Sequence, residues 1–159
     1  MDRERRLICK ATLAAVTSLG ATAVLPACGN NNSMAGPMCS GASVGVGNAD
    51  NLPENTAMNF PTAAAKVGMS VFICHDKDGY YAVDAGCTHL GCDVGLKDPT
   101  NLALGFACPC HGATYDANGE NPTSPAPAGL THYQVCGQAS GTLLVDLANE
   151  VDPKTRFKP

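Results

Sequence analysis

Two short stretches carry the chemistry of this sequence: Cys87-Thr88-His89-Leu90-Gly91-Cys92 and Cys108-Pro109-Cys110-His111-Gly112. Each stretch holds a cysteine followed two or three residues later by a histidine, and each holds a second cysteine. Thiolates and imidazoles contributed by two loops can bind zinc or an iron–sulfur cluster. A histidine two residues after the first cysteine is an unusual interval for structural zinc, so the spacing favours the cluster. We therefore expect the rest of the chain to hold these two loops tip to tip.

The pattern C-x-H-x-x-C followed by C-x-C-H-G resembles the Rieske 2Fe-2S protein family, in the high-potential form found with cytochrome bc complexes. The resemblance covers residues 71–146. It implies a 2Fe-2S cluster in which two cysteines bind one iron and two histidines bind the other. The implied ligands are Cys87 and Cys108 on the inner iron and His89 and His111 on the outer, solvent-facing iron. A zinc knuckle or a plain pair of disulfides is the alternative.

The resemblance also implies roles for the neighbours of these ligands. Cys92 and Cys110 would form a disulfide that clasps the two loops together. The residues expected beside the cluster are Leu90, Gly112, Ala113 and Tyr115. Leu90 would be an apolar contact on a docking surface, with simple loop packing as the alternative.

The residues that follow the second histidine predict the potential of the cluster. Tyr115 occupies the position from which a tyrosine hydroxyl reaches a cluster thiolate in high-potential members of the family. Those members carry a serine two residues earlier that donates to a bridging sulfide, whereas this chain has Ala113. Because hydrogen bonds to the sulfurs raise the potential, we expect a value below the top of the Rieske range.

Short β-prone runs separated by turn residues predict an all-β fold. These runs cover residues 71–74, 80–83, 104–107, 113–115, 130–135 and 142–147. The Rieske resemblance implies the same class, a small β sandwich or barrel with a cluster-binding subdomain built from loops. A proline loop, residues 121–127, is similar to the loop that covers the cluster in this family, although a rigid surface loop would have the same composition.

The start of the chain is predicted to direct export. Residues 1–28 contain Arg5-Arg6 ahead of an apolar run over residues 11–27, which resembles a twin-arginine export signal; an ordinary secretory signal is the alternative. The run ends in Leu25-Pro26-Ala27-Cys28-Gly29, which resembles a bacterial lipobox and makes Cys28 a candidate lipidation site. An uncleaved membrane helix is the other interpretation. Either anchor predicts a domain on the periplasmic side of a bacterial cell envelope.

Composition divides the remainder of the chain. Residues 29–56 are rich in Gly, Asn, Ser and Ala and are predicted to be a flexible tether, with a mean reach of roughly 30 Å for a loose coil of this length. The Rieske domain is predicted over residues 57–150, and a polar, extended tail over residues 151–159. Three cysteines remain unassigned, Cys39, Cys74 and Cys136. The runs 71–74 and 80–83 are predicted to form a hairpin around residues 76–79, and the runs 130–135 and 142–147 a second one around residues 137–141. A Cys74–Cys136 bridge would join the two hairpins if the Cα atoms of these cysteines lay within about 7 Å.

These features predict a one-electron carrier that does not catalyse a reaction alone. The net charge of −4 argues against nucleic-acid binding. The expected partners are a quinol-oxidising cytochrome b and a c-type cytochrome acceptor, as in a quinol:cytochrome c oxidoreductase. The alternative is a small Rieske subunit or free carrier of another membrane or periplasmic oxidoreductase, such as a molybdenum-dependent oxidase. A dioxygenase ferredoxin usually lacks the paired loop cysteines and the export signal. The other histidines, His75 and His132, are predicted to be surface or strand residues.

Overall fold

The computed structural model describes residues 39–40, 43–62 and 67–159 of the 159-residue chain. Within these residues the regular structure is β-strand with two short 3₁₀ helices, Ala49–Asn51 and Leu102–Leu104, which confirms the all-β prediction. The strands are β1 Ser43–Asn48, β2 Thr56–Pro61, β3 Ser70–Asp76, β4 Gly79–Asp84, β5 Gly95–Leu96, β6 Phe106–Ala107, β7 Thr114–Tyr115, β8 His132–Gly137 and β9 Thr142–Glu150. The predicted export signal, residues 1–28, lies outside the described residues.

Six strands form one antiparallel sheet in the order β1-β9-β8-β4-β3-β2. The hairpin predicted around residues 76–79 is present, because β3 pairs with β4 across the turn Lys77-Asp78. The Asp76 carboxylate accepts hydrogen bonds from the backbone N–H groups of Asp78 and Gly79, which fixes that turn. The second predicted hairpin is formed by β8 and β9.

The large sheet is buried on both faces of its central strands. Successive strand residues point to opposite faces, so Val71 and Ile73 of β3 enter one core while Phe72 and Cys74 enter the other. The second of these cores also contains Cys87, Cys108 and the aromatic residues of the small sheet. Phe72 packs against Phe106 of β6 with ring centroids 5.2 Å apart. The two loops of interest are therefore rooted in the same apolar core as the sheet.

The small sheet has the order β5-β6-β7 and supports the two loops. Its strands are only two residues long, and β6 pairs with β7 as the two legs of the second loop. At the base of the first loop, Gly86 and Asp93 form an isolated antiparallel bridge. The predicted architecture, loops carried on a small β base, is confirmed.

The tether predicted over residues 29–56 is wrong for residues 43–56, which are folded. Strand β1 pairs with β9, and the side chains of Val46 and Leu52 are 3% exposed. Cys39 forms a disulfide with Cys136 of β8 across 97 residues of sequence, so the Cys74–Cys136 bridge is not formed. The glycines of this segment weaken its local β-strand signal, and the strand with which β1 pairs lies at the other end of the chain.

The C-terminal tail is also part of the domain, which corrects its prediction as an extended segment outside the fold. Phe157 is 2% exposed and exchanges two backbone hydrogen bonds with Tyr80 of β4. The guanidinium of Arg156 lies 3.8 Å from the centroid of the Tyr81 ring and donates to the Asp76 carboxylate at 2.8 Å. A single aromatic residue, Phe157, in a polar stretch is a weak signal of a folded segment. The sequence does not show that it packs against the β3–β4 hairpin.

Candidate metal centre

The two loops have the same backbone pattern. In the first loop, residues 87–92, the carbonyl of Cys87 accepts a hydrogen bond from the N–H of Gly91; in the second, residues 108–112, the carbonyl of Cys108 accepts one from Gly112. In both loops the N–H of the first cysteine donates to the carbonyl five residues later. Both glycines have φ of +78°, a conformation that other residues adopt only with strain. The sequence therefore builds two equivalent turns that present corresponding side chains.

A disulfide between Cys92 and Cys110 joins the two loops, as the family resemblance implies. The sulfur atoms of Cys92, Cys108 and Cys110 lie within 4.8 Å of one another. Two of these three sulfurs are used in the disulfide, so the group cannot act as a three-cysteine metal site. Cys108 is the one member of the group that retains a thiol.

The thiols of Cys87 and Cys108 are free and lie in the core, where the two residues are 1% and 3% exposed. Their free state excludes the alternative in which the loops carry only disulfides. Burial raises the pKa of the Cys87 thiol, but hydrogen bonds from the Tyr115 hydroxyl, from the backbone of His89 and Leu90 and from the Cys108 thiol outweigh burial and leave that pKa lowered. A thiol that is stabilised as thiolate is suited to binding a metal.

The imidazoles of His89 and His111 meet at the tip of the loops. Their ring centroids are 4.7 Å apart and the rings stand nearly perpendicular, at 84°. His111 is exposed and His89 is half-buried. Nδ1 of His89 is buried and has no hydrogen-bond partner in the described part of the chain. Buried polar atoms are normally paired, so this nitrogen fits a ligand position that a metal would fill.

Two thiols below and two imidazoles above make a mixed sulfur and nitrogen donor set. Such a set suits zinc or a Rieske-type 2Fe-2S cluster, and the four residues are those singled out from the sequence. The sequence does not show that the two histidines face each other. Their arrangement depends on the small sheet that joins the two loops.

Tyr115 lies directly beside the first thiol. Its hydroxyl oxygen is 3.3 Å from Sγ of Cys87, and it accepts a hydrogen bond from the backbone N–H of Thr88 at 3.2 Å. Burial raises the pKa of the Tyr115 hydroxyl, and the hydrogen bond with Cys87 raises it further. The hydroxyl is therefore held in its protonated form, in which it can donate to the sulfur.

The other neighbours named from the sequence are split between core and surface. Ala113 is fully buried, and its carbonyl accepts the hydrogen bond from the N–H of Cys108. Gly112 is exposed at the turn of the second loop. Leu90 is 70% exposed at the tip of the first loop, so its side chain does not serve loop packing.

The proline loop lies against both motifs. Thr123 exchanges two hydrogen bonds with Thr114 of β7, and Ala126 is buried in the core that contains the thiols of Cys87 and Cys108. Just after this loop, the carbonyl of Ala128 accepts a hydrogen bond from the Thr88 hydroxyl at 2.6 Å. The loop therefore forms one wall beside the first loop.

Two residues at the site have roles that were not predicted from the sequence. Thr88, between two ligand candidates, joins Ala128, which directly follows the proline loop, to Tyr115 through its hydroxyl. Asp84 is fully buried and accepts hydrogen bonds from the N–H groups of Val67, Gly68 and Gly86 and from the hydroxyl of Tyr133. A polar residue within an apolar run marks the position of Asp84, but the partners of both residues lie up to 49 residues away.

The remaining histidines are strand residues, as predicted. His75 of β3 stacks on Tyr80, and its Nδ1 lies 2.7 Å from the carbonyl of Leu52. His132 of β8 is buried, and burial lowers its pKa. No helix in the part of the chain that the structure describes has the length and apolar character needed to cross a bilayer.

Comparison with known proteins identifies the family of this chain. Residues 42–134 match the model of the Rieske [2Fe-2S] domain. A cytochrome b6-f complex iron-sulfur subunit of Prochlorococcus marinus is 40% identical over 83 residues, which are 51% of this chain and 43% of that subunit. The same subunit of Parasynechococcus marenigrum is 39% identical over 84 residues, 53% of this chain and 45% of the relative. The chain thus spans less than half the length of these curated relatives.

Solved structures show the same fold. The cyanobacterial plasma membrane Rieske protein PetC3 from Synechocystis PCC 6803 superposes with a TM-score of 0.52 at 29% identity, over 64% of this chain and 97% of that chain. A chain in the complex of reduced oxygenase and oxidized ferredoxin in carbazole 1,9a-dioxygenase matches with a TM-score of 0.52 at 20% identity, covering 70% of this chain and 98% of that chain. The second likeness supports the fold alone.

Proposed function

This chain belongs to the Rieske [2Fe-2S] domain family and is an iron–sulfur electron carrier, and we propose that it is the membrane-tethered subunit of a quinol-oxidising, cytochrome-reducing complex. The observation that carries the proposal is the pair of histidine rings, 4.7 Å apart, at the tip of two clasped loops above two buried thiols. That arrangement suits an electron carrier whose cofactor must be stable inside the protein and reachable from outside it.

The ligands of the 2Fe-2S cluster are, in this proposal, Cys87 and Cys108 for one iron and His89 and His111 for the other. Bound to these residues, a cluster of this type would supply one-electron redox chemistry. Cys87 and Cys108 are buried, so their side of the site is shielded from solvent, and the disulfide between Cys92 and Cys110 joins the two loops. Because Nδ1 of His89 is buried and has no partner among the residues that the structure describes, we assign it to the iron. The Nε2 atom of that ring is then left to hold a proton at the surface of contact with a donor.

The exposed tip suits docking against an apolar donor site. Leu90 stands 70% exposed beside the histidines, where it can be buried when a partner covers the tip. A quinol presents a hydroxyl group on an apolar ring. It can therefore donate its proton to a histidine nitrogen while Leu90 contacts the apolar surface of the quinol site. The proposed donor is therefore a quinol held by a cytochrome b, and the proposed acceptor is a c-type cytochrome.

The names of the similar proteins support a membrane location. They are subunits of the cytochrome b6-f complex and a plasma membrane Rieske protein. For this chain we propose export by the twin-arginine signal around Arg5-Arg6 and a lipid anchor on Cys28, which would hold the domain on the periplasmic side of the membrane.

Purification of the full chain from the membranes of its native host tests the function. We expect it to copurify with a cytochrome b, and we expect added quinol to reduce the cluster, followed by reduction of a c-type cytochrome. Copurification with a molybdopterin subunit, and reduction only by the substrate of that enzyme, would support the alternative oxidoreductase and contradict the quinol assignment.

Cell fractionation tests the anchor separately. Wild type is expected in the membrane fraction, with Cys28→Ser released from it and the double variant Arg5→Lys, Arg6→Lys retained in the cytoplasm. A Cys28→Ser protein that stays in the membrane would contradict the lipid anchor and favour an uncleaved helix.

A further inference from the structure

The hydroxyl of Thr88 lies between two oxygen atoms. Its Oγ1 is 2.6 Å from the carbonyl oxygen of Ala128 and 3.2 Å from the hydroxyl oxygen of Tyr115. A carbonyl oxygen can only accept a hydrogen bond, and a threonine hydroxyl has a single proton to donate. The contact with Ala128 therefore uses the Thr88 proton. Toward Tyr115, the Thr88 oxygen can act only as an acceptor.

The hydroxyl of Tyr115 also has one proton. The backbone N–H of Thr88 donates to its oxygen, which leaves the Tyr115 proton to be donated elsewhere. Two acceptors lie at nearly the same distance from that oxygen, Sγ of Cys87 at 3.3 Å and Oγ1 of Thr88 at 3.2 Å. A cysteine sulfur bound to iron carries no proton, so it too can only accept. The sulfur and the Thr88 oxygen therefore compete for a single hydrogen bond.

We propose that Thr88 is a positioning residue that holds the potential of the cluster down, by accepting part of the Tyr115 hydrogen bond that would otherwise go to Cys87. The inference rests on the proposed role of Cys87 as an iron ligand. A hydrogen bond to a ligand sulfur stabilises the reduced cluster, which carries the additional negative charge, and so raises the potential. A competing acceptor has the opposite effect.

The same contact connects the potential to the proline loop. While the carbonyl of Ala128 holds the Thr88 proton, Thr88 accepts from Tyr115 and weakens the bond to Cys87. If the segment around Ala128 moved away, the Thr88 hydroxyl could donate to the Tyr115 oxygen instead. The Tyr115 hydroxyl would then donate its hydrogen bond to the Cys87 sulfur alone. The geometry thus assigns to the end of the proline loop an influence on the potential without any contact with the sulfur.

Redox titration of Thr88→Val in the full chain, followed by EPR, tests the proposal. Valine keeps the branched shape but removes the competing oxygen, so the midpoint potential should rise above that of wild type. The matched control, Thr88→Ser, retains the hydroxyl and should titrate with wild type. In a Tyr115→Phe background the valine substitution should produce no shift, because the shared proton is gone.

A potential that falls or stays the same in Thr88→Val would overturn the proposal, as would an equal rise in the Tyr115→Phe background. Thr88→Ala removes the same oxygen and gives a second measurement if the valine variant assembles no cluster. A neutron structure of wild type gives a test without substitution: deuterium of the Thr88 hydroxyl pointing to Ala128 supports the proposal, and deuterium pointing to Tyr115 overturns it. Loss of the Rieske EPR signal in wild type would instead count against the proposed function.

Discussion

Ala113 is the residue at which the chain departs from the high-potential members that its motifs resemble. The side chain is fully buried beside Cys108, so a hydroxyl placed there would be enclosed with the cluster. We expect Ala113→Ser to raise the midpoint potential. One hydrogen bond contributes about 1 kcal/mol, which corresponds to roughly 40 mV for a one-electron couple.

The measurement is a redox titration of Ala113→Ser against wild type, with Ala113→Gly as the control that changes the same buried position without adding a donor. A serine variant that titrates with wild type, or below it, would show that the missing hydroxyl does not set the potential of this site.

At the scale of the structural element, the two disulfides should have separable effects. The Cys92–Cys110 bond closes 18 residues between the two loops, whereas Cys39–Cys136 closes 97 residues and joins the segment before β1 to β8 of the large sheet. Loop-closure entropy gives about 3 kcal/mol for the shorter closure and about 4.7 kcal/mol for the longer one. The shorter bond fixes the ligand loops, and the longer one fixes β1.

We therefore expect Cys92→Ala with Cys110→Ala to abolish the EPR signal at a modest cost in stability. Cys39→Ala with Cys136→Ala should keep the signal and lose more of the free energy of unfolding, measured by urea denaturation. If the cluster were lost only from the Cys39→Ala, Cys136→Ala protein, the separate roles given to the two disulfides would be contradicted.

Strand β8 gives the domain a pH dependence through His132. Burial lowers the pKa of this imidazole below the 6.5 of an unfolded chain, so at mildly acidic pH the unfolded state binds the proton and the folded state does not. The contribution to stability is present above about pH 6.5 and is lost as the pH falls below it.

Urea denaturation should show a smaller drop in the free energy of unfolding between pH 7.5 and 5.5 for His132→Gln than for wild type. Equal drops in the two proteins would exclude His132 as the cause.

The predictable and unpredictable parts of the fold differ in the range of the contacts that define them. The β3–β4 hairpin and both cysteine–histidine loops depend on neighbours within a few residues, and they could be predicted from the sequence. Strand β1 depends on β9, about a hundred residues away, and its glycines reduce the local β signal. The Cys39–Cys136 bond likewise depends on a fold that already brings the chain ends together.

At the scale of the whole molecule, the last residues close the domain against the central hairpin. Phe157 is almost fully buried in the core on the face opposite the loops. We expect Phe157→Ala to lower the free energy of unfolding by about 3–5 kcal/mol, as for other buried aromatic residues. Lys158→Ala, at the exposed neighbour, should stay within about 0.5 kcal/mol of wild type. A Phe157→Ala protein as stable as the Lys158→Ala control would show that the tail is dispensable.

The folded domain therefore extends from the Cys39 disulfide to the C-terminal tail, which leaves residues 29–38 of the predicted tether between Cys28 and the domain. A fully extended chain of about ten residues reaches roughly 35 Å. If Cys28 is the anchor, Cys39 can lie no farther than that from the membrane surface. The partner sites in a complex would then have to lie within that distance plus the length of the domain itself.

Pulsed EPR of the reduced protein with 15N-labelled histidine tests whether two histidines and two cysteines share one cluster. We expect hyperfine coupling from two histidine nitrogens, with loss of one coupling or of the whole signal in His89→Cys and in His111→Cys. A cluster signal without histidine nitrogen coupling would contradict it, as would a protein that binds zinc and gives no EPR signal on reduction.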